Sequence, residues 1–86
     1  MDLKTKLKQA LKTAFPGAEV RLEVSSPGSK KVAGFLVWNK FVGLPQLERQ
    51  EKLWDVLDQE LTVGERARIT AILTATPEEL TVVRGH

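Results

Sequence analysis

Residues Lys31 to Trp38, KVAGFLVW, are apolar on both alternating sides, with Val32, Leu36 and Trp38 set against Ala33, Phe35 and Val37. Successive strand residues point to opposite faces of a sheet. A strand with this pattern therefore sits at the centre of a sheet or is covered on both faces. Its upstream neighbour is Ala18 to Ser25, which alternates cleanly: Val20, Leu22 and Val24 on one side, Glu19, Arg21 and Glu23 on the other. That is the pattern of a half-buried strand. The intervening SSPGS, Ser25 to Ser29, reads as a turn, so the two strands form an antiparallel hairpin. Downstream, Arg68 to Thr76, RITAILTAT, is rich in β-branched residues and reads as a third strand.

Helical periodicity fills the remaining chain. Asp2 is placed to cap a first helix whose apolar positions Leu3, Leu7, Ala10, Leu11 and Ala14 share one face, and Phe15, Pro16 and Gly17 end it. Lys4, Lys8 and Lys12 line a different face four residues apart, as a solvated stripe does. Gly43 then breaks the chain and Pro45 suits a first helical turn. Leu47, Leu53, Trp54, Leu57 and Leu61 form the expected buried stripe of a long second helix that ends before Gly64. A helical crossover makes the third strand parallel to its predecessor. Thr76, Pro77 and Glu79 have the spacing of a capping box, so TPEEL starts a short last helix. The expected architecture is α/β (α+β), in the order helix, strand, strand, helix, strand, helix. Residues 1–86 form a single domain, a three-stranded mixed sheet with helices packed on one face.

Composition narrows the chemistry. The chain has no cysteine, which removes disulfides, thiolate metal sites and cysteine nucleophiles. The only histidine, His86, is the last residue, so no imidazole is placed for acid–base work in a packed site. Glu48, Glu51, Asp55 and Asp58 recur at the three- and four-residue steps of an exposed helix face, and serine and threonine lack a base. No phosphate-binding loop, dinucleotide fingerprint or metal-ligand spacing occurs. No catalytic residue, metal ligand or cofactor is expected. No apolar run reaches the roughly 18 residues of a membrane span, and a cytoplasmic protein is the expectation.

Nucleic acid is a stronger alternative. The order of elements also fits KH-type domains, in which a GXXG loop clamps a single-stranded backbone. Here the corresponding residues are Gly43, Leu44, Pro45 and Gln46: the second glycine is missing, and Pro45 removes an N–H donor. From Glu48 to Glu60 five acids face only Arg49 and Lys52, which repels a phosphate backbone. A nucleic-acid surface would have to use Lys30, Lys31 and Lys40 or the first helix. The net charge of +2 gives little general attraction.

From Asp2 to Leu80 the chain resembles the BolA-like proteins. The resemblance rests on the leading helix, the hairpin, Phe41 and Gly43 after the second strand, Arg49 opening the next helix, Trp54 one turn on, and a third strand running into TPEEL. It implies an α/β fold of the class II KH-like type, no catalytic activity, and partnership with monothiol glutaredoxins around a shared [2Fe-2S] cluster. Some members are also described as transcriptional regulators. Members that share a cluster supply a histidine at the start of the third strand, nine residues before the proline, and this chain has Arg68 there. They often add a histidine or cysteine in the first hairpin loop, and SSPGS has neither. Arginine has no lone pair to give iron, so the ligand role does not carry over. The family's arginine-histidine-arginine run becomes Arg49, Gln50 and Glu51.

The expectation is thus a non-enzymatic adaptor for a protein partner such as a monothiol glutaredoxin. It would bind through Phe41, Gly43, Arg49 and Gln50 and through Arg66 and Arg68 at the start of the third strand. Phe41 also suits the core, Gly43 a left-handed turn and Arg49 a plain surface charge.

Overall fold

A computed structural model describes residues 2–24 and 30–84; the expected hairpin turn, Ser25 to Ser29, and His86 lie outside the described residues. Helix α1, Leu3–Ala14, starts where the Asp2 carboxylate accepts the Thr5 N–H at 2.9 Å. Leu3, Leu7 and Leu11 are buried, while Lys4, Lys8 and Lys12 are exposed. Gly17 takes a left-handed φ of +86°, which turns the chain into the sheet.

Strands β1, Glu19–Val24, and β2, Val32–Val37, pair antiparallel, with Arg21 opposite Phe35 and Glu23 opposite Ala33. Gly34 is dictated by a close approach: a Cβ there would lie 1.9 Å from the Arg21 carbonyl oxygen. Strand β3, Ile69–Ala75, pairs parallel with β2, giving the order β1-β2-β3. The doubly apolar strand is therefore central. Its second face is not covered throughout, since Phe35 is 37% and the neighbouring Leu73 55% exposed. A register irregularity at Val32/Ala33 lets Ile69 and Ile72, three residues apart, both reach the core.

A short 3-10 turn, Asn39–Phe41, leads to helix α2, Gln46–Glu60. Pro45 caps α2 with an extended ψ of 154° instead of entering its first turn. Leu53, Leu57 and Leu61 form the buried stripe, with Trp54 partly buried beside it. Leu47, expected in that stripe, is 71% exposed. Counting back four residues from Leu53 leads to Arg49, and Arg49 is the residue buried there. Helix α3, Val63–Arg66, was not expected because Gly64 reads as a stop. Thr62 and Glu65 close a complete capping box around it, a T-x-x-E spacing that the sequence displays.

Helix α4, Pro77–Arg84, begins at the expected box: the Thr76 N–H donates to Glu79 Oε1 at 2.8 Å, and the Glu79 N–H to Thr76 Oγ1 at 3.2 Å. Helices α1 and α2 enclose one core cluster with β1, β2 and β3, completed by Phe15 and Phe41. Phe15, Trp38 and Phe41 pack with centroids 5.1 to 5.8 Å apart, and the Trp38 indole donates to the Pro16 carbonyl. Among the described residues, no helix is long and apolar enough to cross a membrane.

Candidate partner-binding site

Because α2 runs back along the sheet between two parallel strands, its start lies beside the end of β3 and its end beside the start of β3. This geometry divides the candidate residues. Phe41, Gly43, Arg49 and Gln50 gather at the end of β3, whereas Arg66 and Arg68 stand at its start, roughly 20 Å away given the 1.5 Å rise of a helix the length of α2. The two sets do not form one surface.

At the end of β3, Phe41 is fully buried and Arg49 is 5% exposed. Gly43 takes φ +82° in the turn, with Val42 65% exposed beside it. The Arg49 side chain is fully engaged. Its Nε donates to the Leu44 carbonyl at 2.8 Å, its two terminal nitrogens grip the Glu79 carboxylate at 2.6 and 3.2 Å, and its guanidinium lies 5.7 Å from the Phe41 ring centre. Arg49 thus ties the start of α2 to the first turn of α4. Those hydrogen bonds, followed by the Thr76 N–H, lower the Glu79 carboxyl from its ordinary value to about 2. Glu79 was not singled out from sequence, although its capping-box position marked it as an ordered carboxylate.

Gln50 works with Gln46 on the edge of β3. Gln50 Nε2 donates to the Ile72 carbonyl at 3.0 Å and to Thr74 Oγ1 at 3.2 Å. Gln46 Nε2 donates to the Thr74 carbonyl at 3.0 Å, and the Thr74 hydroxyl donates back to Gln46 Oε1 at 2.7 Å. The buried Thr74 hydroxyl is satisfied in this way. The four-residue spacing of the two glutamines was legible, but their target was not.

The start of β3 is more open. Arg68 is half-buried, and its Nε donates to the Lys30 carbonyl at 2.9 Å. Lys30 adopts φ +57° and is exposed, as is Lys31. Arg66 turns back to the end of α2, where it donates to the Leu61 carbonyl at 2.6 Å and meets Asp58 at 3.3 Å. Lys30, Lys31, Arg66 and Arg68 therefore concentrate positive charge at one end of the sheet. Lys40 lies at the other end of β2, 5.6 Å from the Trp38 ring centre, so the three lysines considered for nucleic acid do not form one cluster.

The donor set does not suit an iron–sulfur cluster. The chain has no cysteine, Arg68 carries no lone pair, and its Nε is committed to a backbone carbonyl. Among the described residues, no group of three or more histidine, cysteine, aspartate or glutamate side chains could hold a metal ion.

No family model matches the chain, and no curated protein matches it. Solved structures do. A Bol-like protein from Babesia bovis, 20% identical, superposes with a TM-score of 0.62 over 96% of this chain and 93% of its own. BolA1 from Arabidopsis thaliana, 18% identical, superposes with a TM-score of 0.70 over 92% and 96% respectively. At such identities the likeness is one of architecture, and it agrees with the resemblance carried by the residues: this chain has the BolA-like fold.

Proposed function

We propose that the protein is a non-enzymatic BolA-like adaptor that binds a protein partner, a monothiol glutaredoxin by the resemblance, without contributing iron ligands of its own. The observation that carries this reading is Arg68. At the strand start where cluster-sharing members of the family place a histidine, this chain has a guanidinium held against the Lys30 carbonyl among three further basic residues. Such a group recognises carboxylates or carbonyl oxygens on a partner, and it replaces coordination with charge and hydrogen bonding. Exposed Val42 and Leu47 beside Gly43 offer a competing surface at the other end of β3.

Titrating the isotope-labelled protein with a cluster-loaded monothiol glutaredoxin, followed by NMR and by visible circular dichroism, tests the proposal and separates the two surfaces. The expected result is shifted signals at Lys30, Arg66 and Arg68 with an unaltered cluster spectrum. Shifts confined to Val42, Gly43 and Leu47 would move the contact to the opposite end. An altered cluster spectrum would overturn the ligand-free reading, and the absence of any shift would overturn the partnership.

A further inference from the structure

The sheet face opposite α1 and α2 carries a regular arrangement. The strand register sets Arg21, Phe35 and Leu73 side by side in one row across the three strands, and Glu23, Ala33 and Ala71 in the next. These six residues line one groove together with Gln46, Gln50, Glu79 and Leu80, and in the third row of the same face, Glu19, Val37 and Ala75, Val37 is already buried. Phe35 and Leu73 are exposed apolar side chains of the size that an isolated sheet face ordinarily keeps covered.

The two rows complement each other. One holds Arg21, which already pairs with Glu19 on its own strand, and two large apolar side chains; the other holds an acid and two alanines. A two-fold axis in the plane of contact, crossing the strands midway between the rows, would bring each strand against its own copy running the opposite way. Arg21 then meets Glu23, Phe35 meets Ala33, and Leu73 meets Ala71, each pair occurring twice. Isologous contact demands this kind of self-complementarity. Facing sheets about 10 Å apart interdigitate large residues with small ones in the same manner.

We infer that this face binds a second copy of the chain, forming a symmetric sheet-on-sheet dimer. The patch is only three strands wide, which places the contact in the small, weak class of interfaces, so dimerisation depends on concentration. The face is separate from the basic end assigned to the partner, and either assignment can fail without the other.

Sedimentation equilibrium of the full chain, from micromolar to millimolar loading, tests the inference. The wild type is expected to pass from monomer to dimer. Arg21→Glu and Glu23→Arg each oppose like charges twice and should weaken association about tenfold or more, whereas the double variant restores it. Ala71→Leu fills the recess facing Leu73 and should also weaken the dimer. These side chains lie outside the core, and unchanged circular dichroism would show that the variants fold. A wild type that stays monomeric at every loading overturns the proposal, as does a dimer indifferent to both charge reversals.

Discussion

The two ends of β3 each carry an arginine that the sequence singles out, and the two do different work. Arg49, at the end of the strand, is buried and uses its guanidinium on a backbone carbonyl, a carboxylate and an aromatic ring. Arg68, at the start, donates from its Nε to the Lys30 carbonyl from a half-exposed position. A buried arginine with matched partners stabilises the fold and has little left for another molecule, whereas a half-exposed one adds little stability and keeps donors for a ligand. Resemblance to the family marks Arg49 as a match and Arg68 as a departure, and burial tells apart what the two side chains do.

Replacing each arginine puts this contrast to the test. Arg49→Ala leaves the Leu44 carbonyl without its donor and frees Glu79, so urea unfolding should show a loss of about 2–3 kcal/mol. A loss indistinguishable from zero would make Arg49 a surface charge and erase the contrast. Arg49→Lys keeps the charge but replaces the planar fork by a point, and a loss of about 1–2 kcal/mol is expected in the same assay.

Acid sharpens the comparison from the carboxylate side. Glu79 titrates lower in the folded protein than in the unfolded chain, so its contribution is complete above its ordinary value and is lost as pH falls toward about 2. The urea midpoint of the wild type should therefore fall more steeply below pH 4.5 than that of Glu79→Gln. Parallel curves would show that the clamp does not depend on the charged carboxylate. The smallest effect belongs to Arg68→Ala, with stability changed by no more than about 0.5 kcal/mol. Glutaredoxin binding, measured by calorimetry, should nevertheless weaken clearly. A large stability loss at Arg68 would make both ends structural.

What the sequence disclosed follows the range of the interaction. The Asp2 cap and the Thr76–Glu79 box were legible because each involves residues three apart. The central place of β2 followed from its doubly apolar pattern, but the same pattern cannot say whether the second face is covered. Leu47 was misplaced because hydrophobicity alone made it part of the stripe, whereas the helix phase set by Leu53 and Leu57 turns it outward and Arg49 inward. The Arg49–Glu79 pairing joins residues 30 apart in sequence, and no local rule connects them. The division of the candidate site had a similar origin. Residues grouped by resemblance were separated once α2 lay lengthwise along the sheet.

The glutamines on β3 also bear on what the protein avoids. An outer strand is a template on which another chain can extend the sheet, and repeated addition leads to insoluble assemblies. A newcomer needs acceptors as well as donors, and on β3 the carbonyls of Ile72 and Thr74 are already occupied by Gln50 and Gln46. Removing both amides would reopen that edge, so the same two side chains that satisfy Thr74 also keep the outer strand from offering free acceptors.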